Sequence, residues 1–334
     1  MILVDKSLSR FFLVIFFLLF TNCSNNHASS IIITGNTMGT TYSITILDSI
    51  TNENHLKKSI DKRLNDISMI FSTYLDSSEI SKVNRFNGQK IHISDTFANV
   101  LNKALYYCNL SNGSYDITIG PLMNLWGFSN IDKNDIPNNK MIANTLSEIG
   151  YDKIILDKNT LFKNNNIKID LNSIAKGYAV DQISLFLDNN DIYDYLVEIG
   201  GEVRTNNVNR KDGWIVGVQH PSSDEIIKKI SLDNLSMATS GSYNNYFTFN
   251  NIEYSHILNP NTGYPFHFRT VSATIIADNC IDADAYATLA MTKNSSEIIN
   301  LINNELGVEG YIIEIINNEL IEYESLGFHK LTVF

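Results

Sequence analysis

The chain has 334 residues, 44% of them hydrophobic and 18% charged, with a formal net charge of −11 at pH 7. With 5 prolines and 17 glycines, it is no collagen-like, low-complexity or disordered polymer, and it has ample apolar side chains for a core. An acidic chain with no long basic run also lacks the electrostatic footprint of a nucleic-acid binder.

At the amino end, Lys6 and Arg10 precede an apolar run, Phe11 to Phe20. That run is short for crossing a bilayer, where about 20 residues are needed. A positive flank, a short apolar core and a polar exit form the pattern of a secretory signal. Cys23, followed by the polar stretch Ser24 to Ser30, resembles the lipidated cysteine of a bacterial lipoprotein, although Asn22 stands where such signals usually carry Gly, Ala or Ser. The alternative is a short anchor that is never cleaved. The expected organisation is a signal peptide over 1–22, a lipidated polar tether over 23–30 and one domain over 31–334, exported and anchored to the cytoplasmic membrane facing the periplasm or the outside. Cys108 and Cys280 are expected to be buried as small apolar residues. No CxxC or Cys/His cluster points to zinc.

In chain order, Ile31–Thr34 and Thr41–Leu47 read as strands around Gly35 and Gly39. Leu56, Ile60, Leu64, Ile67 and Phe71 recur at helical spacing, as do Phe97, Val100, Leu101, Ala104, Leu105 and Cys108, with Gly113 as a stop. Strands are predicted at Lys153–Leu156 and Ile167–Leu171, a helix over Ser173–Leu187, and buried strands at Leu196–Ile199 and Trp214–Gln219. Phe247–Phe249 and Ile252–Tyr254 flank Asn250-Asn251 as a hairpin; Glu314–Ile316 and Leu320–Tyr323 repeat it with a slightly longer turn. Val271–Ala277 reads as a strand and Ala283–Met291 as a helix. Hairpins mixed with helices, without repeats or a linker, predict a single α+β domain of mixed, largely antiparallel sheets with flanking helices.

Four groups of residues could carry chemistry. In Asp170-Leu171-Asn172-Ser173-Ile174-Ala175-Lys176-Gly177, a carboxylate, a helix start and an ammonium lie close together, which suits an anion; Asp170 as a cap and Lys176 as a solvated cation is the plainer alternative. Asp284 and Thr288 stand at i and i+4, so one helix face presents a carboxylate and a hydroxyl, oxygens suited to Mg²⁺. The alternative is a helix cap and a hydroxyl bonded back to its own helix. His256 leaves a strand just before Asn259-Pro260-Asn261-Thr262-Gly263, placed either as a general base or as a structural histidine. Thr239-Ser240-Gly241 offers hydroxyls and a flexible backbone to a phosphate or ribose. Met38, Tyr74 and the run from Asp116 to Leu122, leading into Leu125-Trp126-Gly127-Phe128, add surfaces for a planar ligand.

Taken in order, these segments resemble the ApbE family of FAD:protein FMN transferases. The resemblance spans Thr37–Thr40, Ser72–Tyr74, Ser78–Ser81, Asn84, Asp116–Leu122, Leu125–Phe128, Asp170–Gly177, Ile199–Glu202, Ala238–Gly241, His256–Gly263 and Asp284–Thr288. It implies Mg²⁺-dependent transfer of the FMN half of FAD onto a Thr or Ser hydroxyl of an acceptor flavoprotein, with AMP leaving. The implied acceptors are subunits of membrane redox complexes, of the sodium-pumping NADH:quinone reductase or Rnf type. By the same resemblance, Met38, Tyr74, Asp116, Ile117, Thr118, Asp170, Lys176, Ser240, Gly241 and Ile257 fall at FAD-binding positions. Ser173, Asp284 and Thr288 fall at metal-ligand positions, Ser173 through its carbonyl, and His256 at the position of the base. Asn172-Ser173 replaces a usual Gly-containing pair, and Glu202 follows Gly200-Gly201 where Asp is usual.

Overall fold

The computed structural model describes residues 30–128, 136–208, 210–241, 246–249, 252–266, 269–317 and 319–333. The signal and tether expectations therefore lie outside the described residues, apart from Ser30. Strands Ile31–Thr37 (β1) and Thr40–Ile46 (β2) pair antiparallel around Met38 and Gly39. Both turn residues have positive φ, 49° and 76°, the hand that matches the twist of a two-residue hairpin. Helix Glu53–Phe71 (α1) is capped by Asn52 and buries the five side chains whose spacing predicted it. Glu79–Arg85 (α2) and Lys90–His92 (β3) lead into Asp95–Leu110 (α3). Past α3, Gly113 takes φ 76° and its N–H reaches the Cys108 carbonyl at 2.8 Å, closing the helix. Gly120–Trp126 (α4) and Asn139–Leu146 (α5) follow, then Ile154–Asp157 (β4) and Thr160–Lys163 (β5).

Asn172–Asp188 (α6) precedes the hairpin Tyr195–Ile199 (β6) and Glu202–Asn206 (β7). Next come Trp214–Gln219 (β8), Ile226–Leu232 (β9), Ser236–Gly241 (β10), Tyr246–Phe249 (β11) and Ile252–Ser255 (β12). Thr270–Ala277 (β13), Cys280–Ala290 (α7), Ser295–Asn303 (α8), Val308–Ile316 (β14), Glu319–Glu324 (β15) and Thr332–Val333 (β16) complete the described chain. The central sheet has the order β1-β2-β6-β7-β10-β13-β14-β15, antiparallel throughout. The small sheets are β16-β9-β8, β3-β5-β4 and β11-β12.

The middle of the central sheet is buried on both faces, which explains the near-continuous burial along β6 and β13. One face sends Val197, Ile199, Ala273 and Ile275 into the main core with α1, α3, α6 and α7. The other sends Leu196, Ile276 and Ile313 against Trp214, Val216 and Phe328 of the β8–β9 layer and the carboxyl end. A satellite core joins Leu122 and Trp126 of α4 with Ile142, Ile149 and Leu258. The α+β reading holds. Cys108 and Cys280 are free and buried, and no helix among the described residues is long and apolar enough to cross a membrane.

Three local expectations change. Ile167–Leu171 is not a strand. Its backbone is held by single contacts: the Asn84 side chain accepts the Ile169 N–H and donates to its carbonyl, both at 2.8 Å, and the Asp170 N–H meets the Ile117 carbonyl. Thr239-Ser240-Gly241, expected as a flexible stretch, ends β10, with Thr239 opposite Thr274 and Ser240 opposite Ala273. The β14–β15 turn is shorter than expected, because Ile316 pairs with Glu319. The paired strands β11 and β12 agree with the predicted hairpin, whose Asn250-Asn251 turn lies outside the described residues.

Candidate functional site

The site is built where the starts of α6, α7 and β7 meet. Glycine makes the approach possible: a Cβ on Gly177 would stand 2.3 Å from the Cys280 carbonyl oxygen and 2.8 Å from the Asp284 Cβ. With no side chain there, α7 closes on α6, and Asp284 Oδ2 accepts the Gly177 N–H at 2.9 Å. The β6–β7 hairpin turns at Gly200 and Gly201, φ 61° and 102°. A Cβ on Gly200 would meet the Thr40 side chain at 2.7 Å and Lys176 Cδ at 3.4 Å, so the Met38–Thr40 turn lies beside the Lys176 stem.

Three charges converge here. Lys176 Nζ lies 2.5 Å from Glu202 Oε1 and 3.9 Å from Asp284 Oδ1. Glu202 and Asp284 are almost fully buried, and Glu202 Oε2 has no hydrogen-bond partner. Burial works against the Lys176 ammonium, but Asp284 and Glu202 outweigh it and hold the group above the usual lysine range. Burial, then Asp284, raises the Glu202 carboxyl despite the opposing pull of Lys176. Two buried carboxylates thus share one ammonium. Thr288 lies one turn past Asp284 on α7, its Oγ1 3.5 Å from Ser240 Oγ. Ser173, in the first turn of α6, meets the Tyr115 hydroxyl at 2.6 Å through its own hydroxyl.

A divalent cation fits this donor set. Among the described residues no three His, Cys, Asp or Glu side chains converge as a metal site; the donors that the sequence resemblance offers a cation are Asp284, the Thr288 hydroxyl and the Ser173 carbonyl. All three donors are hard oxygens, the chemistry Mg²⁺ prefers. The orphaned Glu202 oxygen and the surplus carboxylate leave the cluster short of positive charge.

The remaining expected residues divide into two groups. Asp170 accepts the Asn172 N–H and side-chain amide at 2.8 and 3.3 Å, and burial raises its carboxyl. Met38 packs partly against the main core, as does Ile257, whose carbonyl accepts the Phe266 N–H. Gly241 ends β10 beside Ser240. Tyr74 is 81% exposed between α1 and α2. By contrast, the side chains of Asp116–Thr118 serve the fold. Asp116 accepts the Thr118 N–H and hydroxyl, both at 2.7 Å, and the Tyr151 N–H; Ile117 is core, and the buried Thr118 accepts the Gly150 N–H.

His256 follows β12, its ring 6.3 Å from that of Phe128. Trp126 donates its indole N–H to the Gly263 carbonyl at 2.8 Å, so the Leu125–Phe128 segment anchors and flanks the histidine loop. Sequence reasoning did not assign this holding role, nor those of Asn84, Tyr115 and Glu202. For Trp126, Asn84 and Glu202 the only signal was membership of the ordered motifs; Tyr115 gave none.

Residues 38–312 match the pattern of the ApbE family. The chain is 35% identical over 270 residues to the FAD:protein FMN transferase of Vibrio cholerae, covering 78% of this chain and 80% of that one. It is 35% identical over 317 residues to the FAD:protein FMN transferase of Haemophilus influenzae, covering 90% and 91%. Among solved structures, a histidine-to-glycine variant of the flavin transferase ApbE from Vibrio cholerae superposes with a TM-score of 0.83 at 31% identity, over 91% of this chain and 100% of that one. The ApbE protein of Thermotoga maritima gives 0.81 at 29% identity, over 92% and 100%. Matching sequence pattern, fold and extent together, the chain belongs to the ApbE family.

Proposed function

We propose that this enzyme transfers the FMN moiety of FAD to a Thr or Ser hydroxyl of an acceptor flavoprotein and releases AMP. The observation that carries the reading is the buried Asp284 carboxylate of α7 beside the Lys176 ammonium, one turn before Thr288 on the same helix, in a chain of this family. The acceptor Oγ attacks the phosphorus that bears the riboflavin. The new O–P bond forms as the bridging P–O bond to the adenylate breaks; AMP leaves with the bridging oxygen, and the hydroxyl proton passes to His256. Lys176 faces the pyrophosphate as a fixed cation. A Mg²⁺ ion held by Asp284, Thr288 and the Ser173 carbonyl would neutralise charge on the phosphate oxygens. A dianionic pyrophosphate needs no basic surface when positive charge is local, so the net −11 is no obstacle.

We place the enzyme on the outer side of the cytoplasmic membrane, held through Cys23, and propose flavoprotein subunits of membrane redox complexes as its acceptors. The test incubates the chain with FAD, Mg²⁺ and a Thr-bearing acceptor domain. Flavin fluorescence on the denatured acceptor supports transfer; free FMN and AMP with an unlabelled acceptor mean hydrolysis; unchanged FAD means a carrier. His256→Ala slows transfer by about 10²–10⁴-fold while FAD affinity, followed by flavin fluorescence, stays near wild type. Transfer at the wild-type rate would remove His256 from the mechanism.

A further inference from the structure

Glu202 is the group in this cluster that the transfer reading leaves without a task. It opens β7 directly after the Gly200-Gly201 turn, with one oxygen 2.5 Å from Lys176 Nζ and the other buried without a partner. A merely structural ion pair would satisfy both carboxylate oxygens, because an unmet buried polar atom is costly. The distances show what Glu202 does to its neighbours. Lys176 reaches past α7 to Glu202 and stays 3.9 Å from Asp284 Oδ1, too far for a hydrogen bond. Asp284 Oδ2 is already taken by the Gly177 N–H, so Oδ1 is the oxygen that Lys176 would capture if Glu202 released it.

We propose that Glu202 is a positioning residue: it holds the Lys176 ammonium off Asp284, so that Asp284 Oδ1 stays open to a divalent cation. This rests on the reading of Asp284 as a cation ligand. Glu202 also balances charge. With Glu202 in place the cluster sets two carboxyl groups against one ammonium and keeps room for a further cation; without Glu202, Lys176 turns to Asp284 and cation affinity falls.

The probe is Mn²⁺ alone, titrated into the full chain in detergent without FAD and followed by the electron paramagnetic resonance of free Mn²⁺. Glu202→Gln, nearly isosteric, weakens Mn²⁺ binding by about 10–100-fold, the range for residues that orient a metal ligand. Glu202→Asp, which keeps the charge, binds Mn²⁺ more tightly than Glu202→Gln. In Lys176→Met there is no ammonium to hold off, so Mn²⁺ binds at least as tightly as in wild type and a further Glu202→Gln no longer weakens binding by about 10-fold; the single variant keeps the proposal testable should Glu202→Gln fail to fold by circular dichroism. Wild-type Mn²⁺ affinity in folded Glu202→Gln, or weaker Mn²⁺ binding in Lys176→Met than in wild type, overturns the proposal. Asp284→Asn separates the two readings: if it binds Mn²⁺ as wild type does, the cation-ligand reading itself falls, whereas if it loses binding while Glu202→Gln does not, only the positioning role falls.

Discussion

Two charge clusters, both at least partly buried, join the same three elements, α6, β7 and α7, and they are finished differently. In one, Asp181 of α6 faces Arg204 of β7 at 2.5 Å and accepts the N–H groups of Cys280 and Ile281, both at 2.9 Å. Those are the first N–H groups of α7, whose own N-cap, Asn279, makes no side-chain cap, so Asp181 caps a neighbouring helix. In the other cluster, Lys176 of α6 faces Glu202 of β7 with the charges reversed, a carboxylate oxygen is orphaned, and Asp284 is a second acid beside a single cation. One cluster closes its hydrogen bonds and holds the helices together. The other, just over a helical turn earlier on α6, sets two carboxylates against one ammonium and leaves an oxygen unmet.

Stability measurements can break this contrast. The largest loss is expected for Asp181→Ala, which leaves Arg204 and two helix N–H groups without their acceptor: about 3 kcal/mol or more in urea unfolding. A loss below about 1 kcal/mol would place that pair among weak surface bridges. Glu202→Gln should leave stability unchanged or raise it by about 1 kcal/mol, as relief of a strained functional group does. A loss as large as that of Asp181→Ala would make both clusters structural.

Lys163 sharpens the comparison from a third direction. It is 4% exposed, donates to the Ile167 carbonyl at 3.2 Å, and burial, with Lys168 nearby, lowers its ammonium below the usual lysine range. Between the lowered folded value and the unfolded value of about 10.4, the unfolded chain binds more protons, so stability rises with pH through that window. Below the window both states are charged and the burial cost is present in full. Lys163→Met should therefore stabilise the chain by about 1 kcal/mol at pH 7, and the gain should shrink toward pH ~10. A gain that stays constant with pH would show that the ammonium is not the source.

What the sequence disclosed follows the range of the interactions. The long helices were legible because their buried positions recur locally: Leu56, Ile60, Leu64, Ile67 and Phe71 on α1, and Phe97 through Cys108 on α3. Asp284 and Thr288 were legible as a pair for the same reason. Ile167–Leu171 misled because its apolar content fits a strand, while its backbone is met by scattered single groups, among them the Asn84 side chain 85 positions away in sequence, the Ile117 carbonyl and the Lys163 ammonium, and not by a ladder. The Thr239–Gly241 stretch misled because small polar residues look flexible until a distant strand, β13, pairs with them. Glu202 was visible only as a departure from a pattern, because its partner comes from another element and its orphaned oxygen is a property of burial.

The indole of Trp126 has a consequence beyond anchoring. The loop that bears His256 leans on two cores: Ile257 packs against the main core, whereas Leu258 lies in the satellite core of five buried residues among those described, and Trp126 fastens the loop at Gly263. Local opening costs less where fewer apolar contacts must part. The Leu258–Gly263 end of the loop is therefore the part expected to open before the Lys176, Glu202 and Asp284 cluster, whose neighbours Ala175, Ala283 and Ala285 belong to the main core.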